Sequence, residues 1–272
     1  MNNSWIALFV RNGLMNLRDA IAIFFALAPG LVGHASAQPS AALPVRYALL
    51  SAVGDQLTVV HARMQTGSRL DRNEREVAAL PDSALDRVVL RNLNAALKKA
   101  APKAEVAALA AANASLFQVQ GDVLSGDKPV DATVRAFAAA LPPGGTDRLL
   151  LVLKHRSEAR IPVVSGAIGV GRLEGVGFYV DRMTRMKSME TGAEGTGFLA
   201  PFAYVRLVIA DSDGRVLAER ALEAAATIGM GNSRDAVQPW ELLDASAKVA
   251  VLDRLLRREI EKSLPALIAA AK

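Results

Sequence analysis

The sequence predicts an α/β protein of the α+β type: a single domain with a mixed, mainly antiparallel sheet, two or three helices packed on it, and a long C-terminal helix. Three observations carry this. Short apolar runs are bounded by turn residues, as strands are; two internal stretches show helical spacing between Pro and Gly punctuation; and a leucine stripe at helical period follows Pro239-Trp240.

Composition agrees with a folded chain. Of 272 residues, 51% are hydrophobic and 22% charged, which excludes a disordered polyelectrolyte. There is no cysteine, so disulfides, thiolate metal sites, iron–sulfur clusters and a cysteine nucleophile are all excluded.

The N-terminus reads as an address. The apolar run Ala20 to Gly33 follows Arg11 and Arg18 and precedes the small-x-small site Ala35-Ser36-Ala37. Residues 1–37 are therefore expected to be a secretory signal peptide cleaved after Ala37, with Met15 as an alternative start that gives a more compact signal. A permanent membrane anchor is the competing reading, but the run is interrupted by Pro29 and falls short of the roughly 20 residues that a spanning helix needs. Removing Arg11, Arg18 and Asp19 lowers the formal charge from +5 to +4. The excess is small, with neither a basic stripe nor interleaved aromatics, so a nucleic-acid partner is not expected.

Residues 38–44 then form a short flexible leader, and 45–272 the single domain. Val45 to Val53 and Gln56 to Met64 read as two strands joined around Gly54-Asp55 in a tight hairpin. Pro81-Asp82-Ser83 opens a helix whose buried face is Leu85, Val89, Leu93, Ala96 and Leu97, stopped by Pro102. Glu105 to Gln118 is alanine-rich and ambiguous, with a strand ending at Leu116-Phe117 the better fit to an alternating order. Val130 to Leu141 is expected to be helical, and Arg148 to Leu153 a central strand. In Ile161 to Tyr179 β-type residues alternate with glycines, and Asp181 to Gly197 is expected to be a loop. Ala203 to Ala210 and Arg215 to Thr227 flank the turn Asp211-Ser212-Asp213-Gly214 as a second hairpin. Pro239-Trp240 starts the closing helix, with Leu252, Leu255, Leu256, Ile260, Leu264 and Leu267 on its core side and Lys248, Arg254, Arg257, Arg258 and Lys262 on the other. That order is distantly reminiscent of small α/β domains of bacterial envelope assembly proteins.

No motif assigns a chemistry. His61 and His155 are the histidines left after signal removal, and neither lies in a metal-binding pattern, so no metal and no cofactor are expected. The series Gly166, Gly169, Gly171, Gly175 and Gly177 departs from phosphate-loop spacing and reads as strand bulges. Ser51, Ser115, Ser125, Ser165 and Ser188 lack a nucleophile-elbow context. The segment Asp181 to Gly197 is the most unusual: Met183, Met186 and Met189 recur every three residues beside Arg182, Arg185 and Lys187. Flexible thioethers among cations suit contact with an envelope protein or an anionic envelope surface. The expectation is an exported, periplasmic cell-envelope protein of non-catalytic binding or assembly type. The alternatives are a metal-independent periplasmic hydrolase using a serine with His61 or His155, and an oligomeric adaptor subunit.

Overall fold

A computed structural model describes residues 44–63, 71–80, 84–110, 114–142, 144–187, 192, 194–228 and 239–272. The expected signal peptide, the Pro81-Asp82-Ser83 helix opening, Met64 and Met189 lie outside these. The architecture is the expected α+β one: a mixed sheet of many strands with four α-helices among the described residues. No helix among them is long and apolar enough to cross a membrane.

Strands β1 (Arg46–Ser51), β4 (Glu105–Ala110) and β5 (Arg148–Lys154) form a parallel group in the order β4-β1-β5. The two neighbours of β1 are thus distant in sequence, and the expected β1–β2 hairpin does not form. Instead β2 (Gln56–His61) pairs antiparallel with β3 (Glu74–Ala79) and parallel with β9 (Arg172–Lys187). β1 is buried along nearly its whole length, RYALLS, and so suits an interior position flanked on both sides.

Strand β10 (Glu194–Asp211) holds the sheet together. Its first half pairs with β9 and its second half with β5 on the same side, while β11 (Val216–Ala225) pairs with it across the turn expected at Asp211 to Gly214. The handover falls at one residue: His155 N–H donates to the Tyr204 carbonyl at 2.9 Å, and Gly175 N–H donates to the His155 carbonyl at 3.2 Å. The chain then continues from β5 into β6 (Arg156–Glu158), which pairs with the start of β9.

One face of the sheet carries α1 (Ala84–Ala100) and α4 (Ala245–Ala270). The expected apolar face of α1 is buried in full, and the leucine stripe of α4 docks beside it, so the basic side of α4 faces solvent. Asn92 and Arg91 on α1 both bond to Asp253 on α4, at 2.9 Å each, and Lys99 pairs with Glu261 at 2.8 Å. Asp244 caps α4 by accepting from Ala247 N–H. The preceding 3-10 turn Pro239–Leu242 seats Trp240 edge-on to Phe178, with ring centroids 5.6 Å apart and Lys248 Nζ over the indole.

The opposite face is covered in two parts. Over β1, β5 and the end of β10 lie α2 (Ala114–Ser125) and α3 (Val130–Ala139). The ambiguous stretch therefore splits into β4 and α2. Over β9 and the start of β10 lies a strap built from β6 and the small hairpin β7 (Ile161–Val163) and β8 (Gly166–Ile168). Two buried tyrosines pin it: the Tyr204 hydroxyl accepts from Arg160 N–H at 3.0 Å, and the Tyr179 hydroxyl from Val170 N–H at 3.1 Å. Burial pushes the Tyr179 phenol up to about 12, so it stays a neutral hydroxyl at all ordinary pH.

Candidate functional site

The parallel group positions a crevice. The chain passes from β4 to β5 by way of α2 and α3 on one face, whereas α1, which leads into β4, lies on the other. Crossovers on opposite faces leave a gap at the carboxyl ends of the adjacent parallel strands β1 and β5, the place where open α/β sheets take ligands. Gln120 spans that gap. Its side chain is buried; Nε2 donates to the Ala52 carbonyl at 2.8 Å, and Oε1 accepts from Lys154 N–H at 2.7 Å. On the α1 side of the β1 end, Asp86 accepts from Ser51 Oγ and from Gly54 N–H, and burial raises its carboxyl above the ordinary value despite those bonds.

Beside Gln120 a cavity of about 230 Å³ opens between α2, the start of α3 and the end of β5. Val123, Leu124, Val130 and Leu153 supply its apolar wall. Its charged lining is of one sign: Lys128, Lys154, Arg156 and Arg206, with His155 among them and no carboxylate. Carboxylates hold most of these groups from outside the lining. Lys128 pairs with Asp122 at 2.7 Å, His155 Nε2 with Glu223 at 3.1 Å, Arg156 with Glu174 through Nε at 2.7 Å, and Arg206 Nη1 with Glu219 at 2.9 Å. Each pair orders its cation without exhausting it. The Arg206 bonds to Glu219 use Nη1 alone, Arg156 gives Nε and Nη2, and Lys128 has donors to spare. The side-chain acceptor of Gln120 is already taken by Lys154 N–H. The cavity is thus rich in held donors and poor in free side-chain acceptors, which matches an oxyanion.

The residues singled out in the sequence fall elsewhere. The expected loop is largely strand: β9 runs to Lys187 and β10 starts at Glu194, so Arg182, Met183, Arg185, Met186 and Lys187 sit on a projecting ribbon. The ribbon is offset by a bulge that sets three residues of β9 against Gly197. There the buried Asp181 carboxylate accepts from the N–H groups of Met183 and Thr184 at 2.7 Å each and from the Thr184 hydroxyl at 2.8 Å. Gly197 has φ +84°, and a Cβ there would stand 2.6 Å from the Asp181 carbonyl. Arg182, Met183 and Arg185 are exposed, Lys187 pairs with Glu194 at 3.3 Å, and Met186 tucks against the strap core. Among the described residues Arg182 and Arg185 have no carboxylate partner.

Among the described residues no candidate nucleophile bonds to a histidine, and Ser188 and the side chain of Ser115 lie outside them. Ser51 bonds to Asp86 and Ser125 to Asp127, while His61 Nε2 lies 3.4 Å from Glu76 without hydrogen-bond alignment. Among the described residues no cluster of three metal-ligating side chains occurs. Sequence reasoning missed Gln120, Lys128, Arg156 and Arg206. The usable signal was the end of the RLLLVLK run, whose next residues His155 and Arg156 stand at the carboxyl end of a parallel strand. No protein-family model matches the chain, and no curated protein matches it.

Proposed function

We propose that the chain is an exported protein, cleaved after Ala37, that works in the periplasm by non-catalytic binding and receives an anionic group of its ligand in the cavity beside Gln120. One observation carries this reading. Lys128, Arg156 and Arg206 line the cavity at the carboxyl end of β5 with donors to spare, while their carboxylate partners lie outside that lining. An oxyanion of carboxylate or phosphate type accepts such donors, and the apolar wall excludes competing water from one side.

The test is a titration of isotope-labelled mature protein with inorganic phosphate and, separately, with acetate, followed by amide shifts. Saturable movement of the Gln120, Val130 and His155 amides, lost in Arg206→Met, is expected. Shifts that stay linear with concentration or spread evenly over the surface overturn the reading. Export is tested by intact mass: a species beginning at Gln38 in the periplasmic fraction is expected, and an uncleaved one at the membrane contradicts it.

A second contact is favoured by the projecting ribbon. The guanidiniums of Arg182 and Arg185, without a carboxylate partner among the described residues, flank the exposed Met183, a combination suited to an anionic envelope surface or an acidic partner. Co-sedimentation with vesicles containing anionic lipid, reduced in Arg182→Ala/Arg185→Ala, supports that contact, and unchanged co-sedimentation removes it.

A further inference from the structure

Among the described residues four strands of the sheet pair on one side only: β6, which is just Arg156-Ser157-Glu158, and the longer β3, β11 and β4. Two of these three longer strands are guarded by charge. β3 reads EREVAA, with Glu74, Arg75 and Glu76 in succession, and β11 carries Glu219, Arg220 and Glu223. Charged side chains of this kind are the usual protection against edge-to-edge pairing.

β4 has none of it. After Glu105 the strand is Val106-Ala107-Ala108-Leu109-Ala110, without charge, proline or bulge, and it pairs with β1 in unbroken register. Ala107 and Ala108 are both exposed, on opposite faces. Glu105 N–H donates to the Val45 carbonyl, so in a parallel ladder Glu105, Ala107 and Leu109 turn their backbone groups toward β1. The N–H and C=O groups of Val106 and Ala108 are left on the open side.

We propose that β4 pairs antiparallel with β4 of a second copy of this chain, about a two-fold axis at Ala107, making one sheet continuous across a dimer. In that register Val106 of each copy lies opposite Ala108 of the other. Both outward-facing residues then exchange N–H and C=O bonds as an antiparallel pair requires. The methyl side chains let the two strands approach at ordinary sheet spacing. Charge selects the orientation: antiparallel pairing sets Glu105 opposite Leu109, whereas parallel pairing would stack the two Glu105 carboxylates. A two-fold axis also closes the assembly, leaving no β4 edge for further growth.

The experiment measures mass in solution by light scattering from low to high micromolar concentration. The wild-type protein is expected to reach twice the mass of one chain. Ala107→Lys and Ala107→Glu, both at an exposed side chain that leaves the β1 ladder intact, are each expected to remain monomeric with unchanged far-ultraviolet circular dichroism, because like charges meet on the axis. Mixing the two variants is expected to restore the dimer. A wild-type protein that stays monomeric throughout overturns the proposal. So does an Ala107→Lys variant that still dimerises, or a mixture that does not.

Discussion

Ser51 Oγ donates to the Asp86 carboxylate at 2.5 Å, tying the last residue of β1 to the first turn of α1. Gly54 N–H donates to the same oxygen at 3.0 Å, so one carboxylate organises the chain where it leaves the sheet. These bonds favour the ionised form, yet burial outweighs them and the carboxyl titrates above 3.8.

Folding therefore makes the Asp86 carboxyl a weaker acid. A carboxyl raised on folding contributes fully below its unfolded value and loses that contribution as pH rises through the folded one. Asp86→Asn cannot ionise and keeps an oxygen for Ser51 and Gly54. Its stability relative to wild type is expected to improve as pH climbs from about 4 through the raised value of the folded carboxyl and then to level off, read from urea midpoints across a pH series. A difference independent of pH contradicts the assignment.

Asp147 behaves in the opposite sense. Its carboxylate accepts from Arg46 Nη2 at 2.8 Å and from Arg46 N–H at 2.9 Å, and these bonds hold it down to about 2. The contribution of this tie between the starts of β1 and β5 is present above 3.8 and lost as pH falls toward about 2. Acid unfolding of Asp147→Asn should show a shallower dependence over that interval than wild type.

Gln120→Leu removes a donor and an acceptor together, leaving the Ala52 carbonyl and Lys154 N–H unmatched where α2 covers the sheet. The expected loss is about 2 kcal/mol or more, since an unpaired buried polar group costs on the order of 1–3 kcal/mol. Denaturant unfolding measures it. Gln120→Glu restores only the Lys154 bond and is not expected to recover the loss.

Gly177 permits the parallel contact of β9 with β2. A Cβ there would stand 1.8 Å from the Thr58 carbonyl oxygen, which belongs to the backbone and cannot turn aside. Gly177→Ala is expected to cost about 3 kcal/mol or more, at the upper end of overpacking effects. The variant should show early amide exchange in β2 and β3, whereas uniform exchange would contradict a local cause.

Elements set by local periodicity were legible in the sequence: α1, α3, β5, the β10–β11 hairpin and the leucine stripe of α4 all follow from side-chain spacing. The misreadings share a cause. Val45 to Val53 and Gln56 to Met64 lie beside a Gly-Asp pair, and nothing local reveals that β1 is claimed by β4 and β5 from far along the chain. β3 escaped notice because its charged run hides a strand whose side chains face water. The ribbon at Arg182 to Lys187 reads as a loop because its Gly and polar residues serve a bulge and an exposed strand end. The cavity was illegible for the same reason as the β1 pairing: Gln120, Lys128, Arg156 and Arg206 come from separate elements that only the crossovers bring together.

β10 is also a clock. The group β4-β1-β5 and the group β3-β2-β9 meet through β10, through β6 and at the His155 junction, so a nascent chain lacks the one long strand that pairs with both groups until Asp211 has left the ribosome. Closure by so distant a segment places the protein among slow folders, whose loops must be ordered before their contacts reward it. For as long as β10 is missing, the edges of β5 and β9 that it covers are open to mispairing.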